Sequence, residues 1–257
     1  MRKPTGESVE TQDRPETLDD LYWGLQIFQP ARGYRYAMDS VLLADFSAPC
    51  NQDRILDLGC GSGVISLLIG SRAKGSRVVG IEIQESLAQF ARRSVRWNQL
   101  SESIQILTGD LKQIGHLIPQ SGMFSLVVFN PPYYRAGQGR HSPNEEIRCA
   151  RHEISATLGD FVAAADHALA PQGRICAVLP AARENEMKDR LEQSHFAITR
   201  LRRVIDRPNR APMLVLIEAK RRLNVKTDPI EIPPLVVHAA DGVETPEIRQ
   251  IYRGGRD

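Results

Sequence analysis

The chain has 257 residues, with 33 lysines and arginines against 31 aspartates and glutamates, a net charge of +2, and 42% hydrophobic residues. This length and composition exclude a chain that is disordered throughout and a fold that depends on disulfides, and they favour one large domain. Because the net charge is almost zero, a nucleic-acid-binding surface that covers the whole protein is excluded, and any such site has to be local.

The chain divides into three predicted parts. Residues 1–20 are polar and acidic and are expected to form a flexible N-terminal arm. Residues 21–222 are expected to form the main domain. Residues 223–257, which contain several prolines, are expected to form an extension that packs on or beside that domain.

Segments with strand and helix patterns alternate along the main domain. After a short strand at Leu25–Phe28, Asp39 is predicted to cap a helix that runs to Phe46. Further strands are predicted at Arg54–Leu58, Arg77–Ile83, Ser103–Leu107, Phe124–Phe129, Arg174–Leu179, Ala197–Ile205 and Met213–Ala219. Helices are predicted at Ser62–Arg72, Gln84–Asn98, Ala156–Leu169 and Ala182–Ser194. This alternation predicts an α/β fold with a doubly wound, mostly parallel sheet covered on both faces.

A glycine-rich loop follows the Arg54–Leu58 strand. That strand contains Asp57 and leads into Gly59-Cys60-Gly61-Ser62-Gly63, at the edge where open α/β sheets bind ligands. The G-x-G-x-G spacing differs from the G-x-G-x-x-G of dinucleotide sites, which disfavours a dehydrogenase. Glu82 ends the next strand, where a carboxylate can accept hydrogen bonds from both hydroxyls of a ribose. Together these features predict a site for a nucleoside cofactor.

The loop and the acidic strand end resemble those of class I S-adenosylmethionine-dependent methyltransferases. The resemblance implies a Rossmann-like sheet of seven strands with the last strand antiparallel, S-adenosylmethionine as cofactor and S-adenosylhomocysteine as product. It implies that Asp57 lies by the methionine part, that Glu82 holds the ribose and that Asp110 meets the adenine amino group. The implied cofactor-binding residues are Asp57, Gly59, Cys60, Gly61, Gly63, Glu82, Ile83, Asp110, Leu111, Asn130 and Asp39.

The tetrad Asn130-Pro131-Pro132-Tyr133 closes the Phe124–Phe129 strand and is expected to face the same cleft. Since prolines have no N–H, the tetrad presents acceptors, the Asn130 side-chain oxygen and the Pro131 carbonyl, which suit a planar –NH2 group. The Tyr133 ring can stack on a flat base or amide. The tetrad is similar to that of methyltransferases acting on adenine N6, on guanine N2 in ribosomal RNA and on glutamine in release factors. We predict that all four residues are catalytic.

A narrower resemblance concerns the substrate. The Gln29–Leu43 segment, with its Q-P-x-x-G-Y-R and D-S-V-L-L runs, resembles tRNA adenine N6-methyltransferases that modify position 37 of valine tRNA. Ala150–Glu153, Asp241-Gly242 and Thr245–Glu247 share the resemblance, which runs from about residue 21 to the end. It implies methyl transfer to N6 of an adenine in the anticodon loop. A methyltransferase of protein glutamine or of a ribosomal base stays as the alternative, with a non-catalytic RNA-binding module behind it.

A local basic surface for tRNA is predicted from the arginines. The candidates are Arg32, Arg35, Arg135, Arg140, Arg151, Arg207 and Arg210. Three more arginines lie within Arg200–Arg203. Because residues 200 and 202 alternate, these arginines can also belong to the solvent-exposed face of a strand. The four cysteines lack zinc-ligand spacing, so no metal is expected. The chain has no apolar run of bilayer length and no secretory leader, so a cytoplasmic location without membrane contact is expected.

Overall fold

The computed structural model describes residues 16–31, 37–133, 156–222 and 228–254. The described chain begins with an antiparallel hairpin of β1 (Glu16–Leu21) and β2 (Leu25–Pro30). The strand β1 therefore begins inside the segment that the sequence predicted as a flexible arm.

The main sheet has eight strands in the order β10-β8-β9-β7-β6-β3-β4-β5. They are β3 (Arg54–Leu58), β4 (Arg77–Glu82), β5 (Ile104–Thr108), β6 (Phe124–Phe129), β7 (Leu169–Pro180), β8 (Phe196–Ile205), β9 (Leu214–Arg221) and β10 (Ile230–Val236). All neighbours pair in parallel except β9, which is antiparallel to both β7 and β8. The predicted doubly wound, mostly parallel α/β fold is confirmed, with eight strands instead of seven.

Helices cover both faces of this sheet. They are α1 (Met38–Phe46), α2 (Val64–Arg72), α3 (Glu85–Trp97), α4 (Ile114–Leu117), α5 (Leu158–Ala168), α6 (Glu184–Gln193) and α7 (Pro246–Arg253). The apolar sides of α1, α2, α3 and α7 form one buried cluster with the sheet, and those of α4, α5 and α6 form a second one on the opposite face. The central strands are apolar along almost their whole length because both of their faces are buried. No helix in the described ranges is long and apolar enough to span a membrane.

The register of the central strands brings the predicted site residues to one edge. Leu58, the last residue of β3, pairs with Ile81 of β4 on one side and with Phe129 of β6 on the other. The glycine loop, Glu82 and the tetrad follow these three positions directly. They therefore leave the sheet side by side at its carboxyl edge, which is where ligands bind in such folds.

Two segments differ from the sequence prediction. The strand β10, predicted to lie in an appendage, joins the sheet edge beside β8, and the register shifts between Ile232 and Leu235, across Pro233 and Pro234. Prolines are tolerated at such an edge bulge because no hydrogen bond of the ladder requires an N–H at these positions. The strand β7 starts at Leu169 and not at Arg174 as predicted, and Pro171–Gly173 lies within it at a shift in the pairing with β6.

Candidate active site

The glycine loop is held against the neighbouring strand by its own backbone. The amides of Gly59 and Cys60 both donate to the carbonyl oxygen of Ile81, at 2.8 and 3.0 Å. Gly59 has φ +71°, and a Cβ at that position would lie 3.3 Å from the ring of Phe161 in α5. Gly63 has φ +89°, and its Cβ would lie 3.0 Å from the Cβ of Ala91 in α3. Both positions require glycine because the left-handed conformation coincides with close packing.

Glu82 links the loop to the start of α3. One of its carboxylate oxygens accepts from the Gly61 amide at 2.9 Å, and the other accepts from the Gln84 amide at 2.8 Å. Burial raises the pKa of Glu82, while these backbone hydrogen bonds oppose the shift. A carboxylate has about four lone-pair sites, so the group can still accept a hydroxyl. The amides of Gly59, Cys60 and Gly61 are all bound within the protein, so they are not available to cradle a pyrophosphate.

Asp57 lies beneath the loop and is fully buried. Its Oδ2 accepts a hydrogen bond from the Ser66 hydroxyl at 2.7 Å. Its Oδ1 and the Oδ1 of Asn130 are the two buried side-chain oxygens in the described ranges that have no hydrogen-bond partner. A buried acceptor without a partner costs free energy, and of these two residues Asn130 lines the cavity described below.

Burial raises the pKa of Asp57 from 3.8 to about 7, against the lowering effect of the Ser66 hydrogen bond. The unfolded chain thus releases this proton at a lower pH than the folded one does. The contribution of Asp57 to the free energy of unfolding therefore falls as the pH rises from 3.8 to about 7, and it is constant outside that interval.

We expect Asp57→Asn to remove this dependence. Urea unfolding of both proteins at several pH values between about 5 and 7 measures it, and the stability of the wild type relative to the variant should fall by at most about 1.4 kcal/mol per pH unit. Glu82 is present in both proteins, and since its charge helps to raise the pKa of Asp57, its titration enters the difference only through that coupling. If the free energies of unfolding of the two proteins changed with pH in parallel, the raised pKa of Asp57 would be contradicted.

A cavity opens above the loop, between Glu82 and the tetrad. Seven of the predicted cofactor-binding residues line it: Gly59, Gly61, Glu82, Ile83, Asp110, Leu111 and Asn130. Asp110 caps the short turn that follows it by accepting from the Lys112 amide at 2.9 Å. Asp57, Cys60, Gly63 and Asp39 lie outside the lining. The roles of all eleven residues as cofactor ligands stay predictions.

The first and last residues of the tetrad, Asn130 and Tyr133, are held by hydrogen bonds to the first turn of α1. The side-chain amide of Asn130 donates to the Ser40 hydroxyl at 3.4 Å, which turns Oδ1 away from α1. The Tyr133 hydroxyl donates to Oδ2 of Asp39, which is itself buried. Asp39 does not cap the helix as predicted, because Ala37 occupies the N-cap position and makes no side-chain bond. The Asp39 carboxylate instead binds the Ser40 amide and the tyrosine.

Several cavity residues carry no motif in the sequence. Phe161 and Ala156 reach the cavity from the segment around α5, and Gln84 and Leu87 reach it from the N-cap and first turn of α3. Leu87 is recognisable in the sequence only as an apolar position of a helix. Phe161 lies about a hundred residues from the loop it contacts, so no local spacing could identify it.

Most of the basic residues are engaged within the protein or lie outside the described ranges. Arg32, Arg35, Arg135, Arg140 and Arg151 fall outside them. Arg200, Arg202 and Arg203 of β8 each form an ion pair with an N–O distance of 2.7 Å, and the partners are Glu218, Glu247 and Glu184, respectively. Arg207 and Arg210 are exposed on the loop between β8 and β9, at the same edge of the sheet as the tetrad.

The chain is similar to methyltransferases in sequence and in structure. Residues 38–203 match the family model described as the methyltransferase small domain. A protein of Porphyromonas gingivalis named tRNA1(Val) (adenine(37)-N6)-methyltransferase is 29% identical over 227 residues, which covers 86% of this chain and 88% of that protein. The protein of the same name from Aeromonas hydrophila is 30% identical over 205 residues, with 79% and 82% covered.

The fold has close counterparts among solved structures. A predicted O-methyltransferase from Agrobacterium tumefaciens superposes with a TM-score of 0.68 over 84% of this chain and 96% of that protein. The two sequences are 21% identical, so this similarity concerns the fold alone.

Proposed function

The chain belongs to the methyltransferase small domain family, and from that membership we propose that it methylates N6 of an adenine in the anticodon loop of tRNA, at position 37. The observation that carries the proposal is the unpartnered Asn130 Oδ1 at the end of β6, beside the cavity. An acceptor in that place suits the hydrogens of a planar amine. The names of the relatives from Porphyromonas and Aeromonas support adenine as the base.

S-adenosylmethionine is the cofactor, and it supplies an electrophilic methyl group bound to a sulfonium. The cavity residues fit such a nucleoside, because Glu82 keeps free lone pairs for ribose hydroxyls and Asp110 lies at the same cavity. We assign the ribose to Glu82, the adenine amino group to Asp110 and the methionine end to the side of Asp57. The partnerless Oδ1 of Asp57 is consistent with a nearby cationic or donating group.

The tetrad residues act on the amine of the target base. Oδ1 of Asn130 accepts one amine hydrogen and the carbonyl oxygen of Pro131 accepts the other, which draws the nitrogen lone pair out of conjugation with the ring. Tyr133 stacks on the base after it has left its own stack, because an adenine inside a stacked loop cannot reach the cavity. The residues thus contribute orientation and exclusion of water.

The proposed reaction is tested with purified protein, S-adenosylmethionine and an unmodified valine tRNA transcript, followed by mass analysis of the nucleosides. N6-methyladenosine should appear with the wild-type transcript and be absent from a transcript with guanine at position 37. Methylation of guanosine, or of a protein glutamine, would replace the proposal by the alternative. A protein that binds the cofactor and tRNA but transfers no methyl group would be the non-catalytic module.

We further propose that the protein acts in the cytoplasm. We also propose that Arg207 and Arg210 bind phosphates of the tRNA. Both arginines are exposed, and the guanidinium of Arg210 has no ion pair within the described ranges. The ion-pair partner of Arg207 among the described residues is Asp206, at 3.8 Å, and both side chains are about half exposed. An exposed pair of this kind is weak and does not prevent binding to a phosphate.

The double substitution Arg207→Ala/Arg210→Ala should weaken tRNA binding and lower the slope of log Kd against log salt concentration by about 1.5. Fluorescence anisotropy with labelled tRNA over a salt series measures the slope. Arg222→Ala is the control, since Arg222 follows β9 at the opposite edge of the sheet and pairs with Glu192. Equal slopes in the double variant and the control would remove the two arginines from the interface.

A further inference from the structure

The guanidinium of Arg183 contacts the tetrad from outside the cavity. Arg183 ends a short turn, Ala181–Arg183, that follows β7, and only 7% of its surface is exposed. Its Nη1 donates to the carbonyl oxygen of Pro132 at 2.8 Å. Its Nε and Nη2 donate to the two carboxylate oxygens of Glu186, at 3.0 and 3.1 Å. One buried cation therefore joins the tetrad to the first turn of α6.

This contact restrains a part of the chain that cannot restrain itself. Pro131 and Pro132 have no N–H groups, so the tetrad lacks backbone donors at both positions. The Pro132 carbonyl and the Tyr133 amide belong to one planar peptide group, so a donor on that carbonyl sets the orientation of the plane. The orientation of the plane in turn sets the direction in which the Tyr133 side chain leaves the backbone.

The chemistry of the contact suits a positioning role. Glu186 binds the guanidinium through both oxygens, and this bidentate geometry fixes the plane of the donor group. A hydrogen bond from a charged donor is also about twice as strong as a neutral one. Lysine could not reproduce the arrangement, because its ammonium is a point charge without the planar fork.

We propose that Arg183, oriented by Glu186, is a positioning residue for methyl transfer: through the Pro132 carbonyl it holds the tetrad in the geometry that receives the amine. This inference rests on the proposed function. It also assigns the tetrad's two prolyl carbonyls to different partners. The Pro132 carbonyl binds Arg183, and the Pro131 carbonyl is left for the substrate.

The test compares Arg183→Ala and Arg183→Lys with the wild type in tRNA methylation. We expect kcat of Arg183→Ala to fall by about 100-fold, because a misplacement near 1 Å has that effect. The KM for tRNA and the Kd for S-adenosylmethionine should stay within about twofold of the wild type. Millimolar guanidinium chloride should restore part of kcat in Arg183→Ala, and equal concentrations of urea or sodium chloride should not. Arg190→Ala is the matched control, since Arg190 is exposed on α6 and its guanidinium donates a hydrogen bond to the Gln193 side chain, away from the tetrad.

A second measurement does not depend on activity. The protein is labelled with fluorotyrosine, and the Tyr133 resonance among its six tyrosines is assigned with Tyr133→Phe. We expect this fluorine resonance to shift and broaden in Arg183→Ala and to recover with guanidinium, without tRNA present. If the wild type fails to methylate tRNA, the proposed function falls while the resonance still tests the contact.

Three results would overturn the inference. One is an unchanged Tyr133 resonance in Arg183→Ala. Another is a higher KM for tRNA at unchanged kcat, which would make Arg183 an RNA contact. The third is a loss of kcat in Arg183→Ala that is proportional to the loss of folded protein and that guanidinium does not restore. If Arg183→Ala does not fold, Glu186→Gln replaces it, and kcat should then fall less, about tenfold, with the arginine still present.

Discussion

Replacement of Asn130 by alanine is expected to lower kcat for tRNA methylation by about 100-fold to 1,000-fold while S-adenosylmethionine still binds with nearly unchanged affinity. The side chain carries an acceptor, Oδ1, that is buried without a partner, and its amide is turned towards Ser40. The free protein therefore already holds the acceptor in place for the amine. Alanine removes that acceptor but leaves the loop, Glu82 and Asp110 intact.

Single-turnover kinetics with tRNA and calorimetric titration with S-adenosylmethionine separate the two effects. Asn130→Asp is the informative companion variant, since it keeps an acceptor oxygen and should lose less activity than alanine does. Ser40→Ala removes only the 3.4 Å contact to the Asn130 amide and should have a smaller effect still. If cofactor affinity and turnover fell together in Asn130→Ala, the residue would belong to the cofactor site and not to the amine.

Glu82→Gln is expected to show the opposite pattern, with the Kd for S-adenosylmethionine raised by about 100-fold. Both oxygens of the carboxylate accept backbone amides, from Gly61 and from Gln84. A glutamine of the same shape would place its –NH2 group against one of these two donors. The variant thus loses one backbone contact, one acceptor for a ribose hydroxyl and the charge that strengthens the remaining bonds.

The rate at saturating cofactor should change much less than the affinity, because Glu82 does not touch the amine. Glu85→Gln is the control for the loss of a nearby negative charge. Glu85 lies one turn away in α3, is exposed, and pairs with Arg92 outside the cavity. Normal affinity in Glu82→Gln, or an equal loss in Glu85→Gln, would contradict a direct role of Glu82 in holding the ribose.

The central part of the fold was predictable because its signals are local. Each strand from β3 to β6 is a short, mostly apolar run, and a glycine or proline marks the end of β3, β5 and β6. The parallel arrangement then requires that the loop, Glu82 and the tetrad meet at one edge. The edges were less predictable, because β10 and the β1–β2 hairpin contain charged and proline residues and are defined by what they pair with.

The arginines illustrate what composition leaves undetermined. The sequence places Arg200, Arg202 and Arg203 in one basic run, whereas in the fold each faces a carboxylate from a distant part of the chain. Paired guanidinium groups contribute less to an RNA surface than their number implies. The distinction between these arginines and the loop residues Arg207 and Arg210 depends on pairing across the sheet, which no spacing encodes.

By itself, the sequence determined the sheet type, the family, the nucleoside cofactor and the tetrad, because each of these depends on residues a few positions apart. The tertiary structure alone decided which groups hold the tetrad: Asp39 and Ser40 from α1, and Arg183 from the turn after β7. These residues lie between about 50 and 95 positions from their partners. Their contacts exist only because the parallel strands bring three separate segments to the same edge of the sheet.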